Sequence, residues 1–96
     1  MSYKIKYLPL ANQDLADIFD FLAEYPQKRL RIFEKLDKCL THLLAMPKMY
    51  PVYEYAPKFR KITLDDYLVF YRLFEDEQII EIHRILYGKM DIQKYL

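Results

Sequence analysis

Residues 58–91 read KFRKITLDDYLVFYRLFEDEQIIEIHRILYGKMD, and this stretch decides the fold. Lys58–Leu64, Tyr67–Phe74 and Gln78–Leu86 are runs dense in aromatic and β-branched residues, the composition that suits a pleated, half-buried strand. Asp65-Asp66 separates the first two runs, and Glu75-Asp76-Glu77 separates the second from the third. Acidic connections this short make turns and leave no room for a crossover helix, so the spacing predicts antiparallel neighbours. Gly88 breaks the pattern, and Met90–Leu96 has the length of a short terminal helix.

Upstream, Met46–Pro57 contains Pro47, Pro51 and Pro57 without a clear period, which predicts a loop. Before it, Phe33, Leu36, Leu40, Leu43 and Leu44 share one side of a helix that Pro47 stops, while Lys28, Arg31, Lys35 and Lys38 fall elsewhere. A preceding helix begins near Pro9 and gathers Ala11, Leu15, Ile18, Phe19 and Leu22 on one face, with Asp17, Asp20 and Glu24 on the other. Pro26 ends that helix and opens the next, so the two form an antiparallel hairpin. Tyr3, Ile5 and Tyr7 alternate with Lys4 and Lys6, the period of a strand. The expected fold is α+β, β-α-α-β-β-β, with a helical hairpin packed on an antiparallel sheet and a short C-terminal helix. It forms one domain over residues 1–96. The hairpin must cover one sheet face to hide its Leu and Phe stripe, and the other face is expected to stay partly open as an aromatic-rich binding surface.

Composition excludes several function classes. With 53% hydrophobic residues the chain is too apolar for intrinsic disorder. Gly88 is the sole glycine, which removes the glycine-rich loops that cradle nucleotides. A net charge of +1 gives no global attraction to nucleic acid, so any phosphate recognition has to be local. Cys39 is the sole cysteine; it has no His or Asp motif beside it and allows no intrachain disulfide. Together with the absence of a signal-like start, this leads to a cytoplasmic expectation. No apolar run is long enough to imply a membrane, and no Cys/His spacing suggests zinc, so neither metal nor cofactor is expected.

Two stretches carry a family resemblance. Arg60 to Tyr71, RKITLDDYLVFY, resembles the arginine-then-Y-x-V-x-Y strand pair of the RelE/ParE toxin superfamily. Ile82 to Asp91, IHRILYGKMD, resembles the ParE-branch ending R-V-L-H-G-R-R-D, with Arg84, Ile85, Leu86, Tyr87, Gly88, Lys89 and Asp91 in register. Such a resemblance implies a toxin of a bacterial toxin–antitoxin pair, of the kind tied to growth inhibition and plasmid stabilisation. Its antitoxin partner wraps the toxin with an extended or helical C-terminal segment. ParE-like members inhibit DNA gyrase, and RelE-like members cleave mRNA in the ribosomal A site. The ending and the near-zero charge lean toward gyrase inhibition. An mRNA endonuclease is the first alternative and a non-toxic, antitoxin-binding descendant the second. Oligomeric state is left open.

Metal-free RNA cleavage of the RelE type needs a proton acceptor, a cation for developing charge and a proton donor for the leaving oxygen. Arg60, Arg84, His83 and Tyr87 are the catalytic candidates if the protein is a nuclease, and Lys58, Lys61, Arg72 and Lys89 are the binding candidates. Arg60 and Arg84 are favoured for anions because guanidinium offers phosphate a permanently charged fork; the alternative reading is a surface ion pair with Glu81 or Asp65. His83 is either a proton shuttle or a solvated strand residue, and His42 reads as structural or exposed. Tyr87 stands where many ParE-like chains have His, and either stacks on a base or packs on the terminal helix. Tyr50, Tyr53, Tyr55 and Phe59 form either a binding platform or the pins of an irregular loop. Parity puts Ile80, Ile82, Arg84 and Leu86 on one strand face and Ile79, Glu81, His83, Ile85 and Tyr87 on the other, so His83 and Arg84 are not expected to act side by side. RelE-type nucleases read G-K-R after the last strand; here Gly88-Lys89 is followed by Met90, which cannot stabilise a phosphorane, and Tyr95 is only an offset counterpart of the family's late tyrosine.

Overall fold

The computed structural model describes residues 2–96. Strand β1 (Lys4–Tyr7) leads into helix α1 (Pro9–Phe21), a single 3-10 turn, and helix α2 (Pro26–Ala45). Strands β2 (Arg60–Leu64), β3 (Tyr67–Phe74) and β4 (Ile79–Tyr87) follow, then a one-turn helix α3 (Ile92–Tyr95). This is the expected element order. Pro occupies the first turn of both long helices, where its missing N–H goes unneeded.

The sheet order is β1-β4-β3-β2. Strands β2, β3 and β4 are antiparallel, as the short turns require, and β1 joins the far edge parallel to β4, so the sheet is mixed rather than wholly antiparallel. Strand β2 begins at Arg60 rather than Lys58, and β4 at Ile79 rather than Gln78. Gln78 adopts a left-handed backbone (φ 55°), as does Asp65 (φ 54°) in the β2–β3 turn. Asp tolerates that conformation well; Gln is less suited to it. Gly88 accepts close approach of the β2–β3 turn, donating to the Asp66 carbonyl at 2.7 Å, and a β-carbon there would stand 3.1 Å from that oxygen.

Both faces of the sheet are covered, by unequal cores. The helical hairpin packs Ala11, Ile18, Leu22, Ile32, Leu36 and Leu43 on one face against Ile62, Val69, Tyr71, Ile80, Ile82 and Ile85. The opposite face, expected to lie partly open, carries a second cluster of Phe59, Phe70, Leu86 and Ile92, flanked by Tyr53, Leu68, Met90 and Leu96. The physical reason is the apolar content of that face: Phe70 and Leu86 are as well buried as the main core, so the 46–59 loop and α3 fold over them. Of the aromatic group in the loop, Tyr53 packs edge-on to Phe70 and Phe59 is buried, while Tyr55 remains exposed. These are structural pins more than a free platform.

Candidate functional site

The feature that organises the site is an irregularity in β4. Phe70 of β3 pairs with Arg84 and the next residue, Tyr71, pairs with Ile82, so His83 is an extra residue on β4. A β-bulge interrupts alternation. Before it, Ile80 and Ile82 face the helices; after it, Ile85 does. The parity expected of a regular strand therefore fails here, yet the two side chains take different partners: His83 stacks on Phe59 at 4.5 Å between ring centroids, while Arg84 turns to Asp14 of α1.

His83 is half-buried, with its Nδ1 enclosed and unpartnered. Burial, followed by the nearby cations Lys58, Arg84 and Arg72, holds its pKa below the ordinary value, with Glu81 opposing. The imidazole is thus kept neutral at physiological pH. It is not the solvated strand residue that its neighbours in sequence suggested.

Arg84 is committed elsewhere. Its Nε and Nη2 donate to the two carboxylate oxygens of Asp14 on α1, at 2.8 and 2.9 Å, and its Nη1 donates to the Tyr95 carbonyl at 3.1 Å. Both side chains of the pair are largely buried, at 14% and 12% exposure, and the Asp14 hydrogen bond raises the guanidinium pKa further. Asp14 Oδ2 also accepts the backbone N–H of Ile85 at 2.9 Å. One carboxylate thus joins α1, β4 and, through Arg84, the C-terminal helix. The anticipated surface pair with Glu81 or Asp65 does not form, because Arg84 lies at the end of β4 facing α1 while Asp65 is held by Lys35 and Arg31 of α2 at 2.6 and 3.2 Å.

Arg60 is also a clamp. Its Nη1 donates to the carbonyls of Tyr50 and Lys48, at 2.7 and 3.3 Å, and so closes the loop after α2. Beside it the Tyr71 hydroxyl donates to the Pro47 carbonyl at 2.7 Å; burial pushes that phenol up to about 12, so it remains a donor. Lys58, Arg72 and Lys89 are exposed, and Lys61 is half-buried with its ammonium over the Tyr53 ring. Tyr87 is exposed and packs edge-on to Tyr67 rather than on α3. The structure brings His83 near Lys58 and Arg72 but sets Arg60 apart at the loop and Tyr87 apart on the helix side of the strand end.

That strand end borders a groove of about 660 Å³. Ile18, Phe21, Leu22 and Tyr25 form one wall, and Ile85, Leu86, Tyr87 and Met90 the other. Phe21 and Tyr25 are strongly exposed for aromatic side chains, at 64% and 56%. None of these helix residues, nor Asp14, was singled out from the sequence as part of a site. Asp14 did leave a signal: it falls three residues after buried Ala11 and four before buried Ile18, an acid inside an apolar stripe.

Among the described residues no group of His, Cys, Asp and Glu side chains is placed to hold a metal ion, and no helix is long and apolar enough to cross a membrane.

Comparison with known proteins agrees with this geometry. The sequence model of the ParE toxin family, described as the ParE toxin of a type II toxin–antitoxin system, matches residues 5–92. No curated protein matches at a significant level. Among solved structures, a chain of the chromosomal ParDE toxin–antitoxin system of P. aeruginosa superposes with a TM-score of 0.72 at 22% identity, covering 91% of this chain and 97% of that one. A mutant of the E. coli RelE toxin in the free state superposes at 0.69 with 16% identity, covering 100% of both chains. A chain of the intact E. coli RelBE complex does so at 0.67 with 16% identity, covering 92% of this chain and 99% of that one. At these identities the superpositions establish a shared fold.

Proposed function

The chain belongs to the ParE toxin family of type II toxin–antitoxin systems, within the RelE/ParE superfamily, and from that premise we propose that it inhibits DNA gyrase and is neutralised by a cognate antitoxin. The observation that supports gyrase over RNA is the commitment of both favoured arginines to internal partners. Arg84 is held by Asp14 and the Tyr95 carbonyl, and Arg60 donates through its Nη1 to two loop carbonyls. A nuclease of the RelE kind needs a free cation where phosphorane charge develops, and an arginine that must first break a buried pair is poorly prepared for that. Inhibition by protein–protein contact needs no such group.

One observation favours the second reading, an mRNA endonuclease. His83 is a neutral imidazole with Lys58 and Arg72 close by, the components of a base beside phosphate-binding cations. Induction of the protein in a bacterial host, followed by labelled precursors, separates the two. Gyrase inhibition is expected to give a DNA-damage response and filamentous cells while bulk translation continues. An immediate halt in translation with cut mRNA would favour the nuclease, and indifference to induction would favour a non-toxic antitoxin-binding protein.

A further inference from the structure

The roof over the second core is fastened unevenly. Helix α3 is tied to β4 where Arg84 Nη1 donates to the Tyr95 carbonyl. Residues 51–59 have no comparable tie. Their backbone N–H groups donate within the segment, Ala56 to the Tyr53 carbonyl, Phe59 to Ala56 and Tyr53 to Phe59. The remaining backbone links run into β2, from the Lys61 N–H to the Pro51 carbonyl and across the Val52–Arg60 bridge. Among the described residues no backbone hydrogen bond joins the segment to β3, β4 or a long helix. Side chains hold it down instead: Tyr53 lies edge-on to Phe70 at 5.0 Å between ring centroids, and Phe59 and Ala56 pack in the cluster. The segment can swing away on its attachment to β2 without breaking a rung of the sheet.

His83 lies against this segment. The bulge lays its ring on Phe59, and its enclosed Nδ1 meets no hydrogen-bond partner. Charged groups face the ring from each neighbouring element: Lys58 from the segment itself, with its ammonium 5.2 Å over the Phe59 ring, Arg72 from β3, and Arg84 and Glu81 from β4. Glu81 is the one carboxylate among them, and it stands in register between Lys6 of β1 and Arg72 of β3, so its charge is shared. Arg84 is already compensated by Asp14. With the proton on Nε2, the neutral ring leaves only a bare lone pair at Nδ1, a mild cost. A second proton makes Nδ1 a donor without an acceptor, on a charged ring surrounded by cations, which is a costly state to enclose.

We propose that residues 51–59 form a flap that neutral His83 keeps closed, and that protonation of this imidazole opens it and bares Phe70 and Leu86. The inference goes beyond the gyrase reading and holds whichever target the chain acts on. Opening gives Nδ1–H access to water and moves Lys58 away from the new charge. The direction with pH follows from the closed state, where burial first and then the cations hold the ring below its ordinary 6.5. A base whose pKa is lowered on closing contributes its full stabilisation above the value it has when solvated, and loses it as pH falls below that value. The open fraction therefore rises about tenfold per pH unit below about pH 6.5, until the closed-state value is reached.

The test is a pH titration of the isotope-labelled full chain by NMR, from about pH 7.5 to about 4.5, a range that spans histidine ionisation. The His83 ring shifts report its protonation. Nuclear Overhauser contacts between Phe59 and His83 and between Tyr53 and Phe70 report the flap, and a neutral soluble nitroxide reports exposure of the Leu86 methyls. The expected result is that both contacts vanish and the Leu86 signals broaden in step with His83 protonation. Contacts between Val69 and Ile85 in the main core persist, and the exposed His42 titrates without effect on the flap. His83→Leu keeps an apolar contact with Phe59 and takes no proton, so its flap is expected to stay closed throughout. Should that variant not fold, the titration of the unaltered chain decides alone. Contacts that survive His83 protonation, a ring that stays neutral to the acid end of the range, or a His83→Leu flap that opens at the same pH would each overturn the proposal.

Discussion

At the residue scale, the Asp14–Arg84 pair is a largely buried ion pair that a single substitution can break. The pair is nearly dry and bidentate, so removing one partner strands the other's charge. Arg84→Ala is expected to destabilise the fold by about 3 kcal/mol, a fall in Tm of roughly 10–20 °C for a domain this size, read by thermal unfolding. Arg84→Ala/Asp14→Ala should recover part of that loss, since no unpaired charge remains. Arg60→Ala is a milder change: it frees two loop carbonyls that water can reach, and should cost about 1–2 kcal/mol while leaving growth inhibition by the induced protein intact. Met90 packs beside Leu86 in the second cluster, and Met90→Arg places a cation there without releasing Arg84. Primer extension on cellular mRNA is expected to show no new cleavage in that variant.

At the scale of elements, the turns carry the testable strain and the testable charge. Gln78 holds a left-handed backbone without the freedom of glycine, so Gln78→Gly is expected to stabilise the protein by about 0.5–1 kcal/mol, read by denaturant unfolding. The β2–β3 turn is fastened to α2 by Asp65, which accepts from Lys35 and Arg31. The Lys35 hydrogen bond, ahead of that from Arg31, lowers the Asp65 pKa below its ordinary 3.8. A carboxyl with a depressed folded pKa stabilises above its unfolded value and loses that contribution as pH falls through the folded one. Asp65→Asn should therefore flatten the acid limb of the stability profile below about pH 4, measured by denaturant unfolding across pH. The elements themselves were legible in the sequence because proline, acidic turns and apolar period agree at every strand boundary to within two residues, although α1 ends at Phe21 and a 3-10 turn fills the stretch before Pro26. The bulge was not. Its one trace is His83-Arg84, two polar residues in succession where strict alternation calls for an apolar residue at position 84, and only the long-range pairing with β3 turns that break into an extra residue. With the bulge went the correct facing of His83, Arg84 and Ile85.

At the scale of the molecule, the second core was also hidden from sequence reasoning. Its members come from the 46–59 loop, all three antiparallel strands or their margins, and the C-terminal helix, so no single window shows them as a face. The sheet face expected to lie open is roofed over, and an apolar groove opens instead between α1 and the end of β4, with Phe21, Tyr25 and Tyr87 exposed along it. Of the chain's arginines only Arg84 is largely buried in an ion pair with a carboxylate, while Arg31 and Arg72 stay exposed. The direct measurement is supercoiling of relaxed plasmid by purified DNA gyrase, with the purified chain added alone and then with its antitoxin. The expected result is loss of supercoiling with the chain alone and recovery when the antitoxin is present; full supercoiling at every concentration of the chain, with mRNA cut on programmed ribosomes in parallel, would contradict the gyrase assignment.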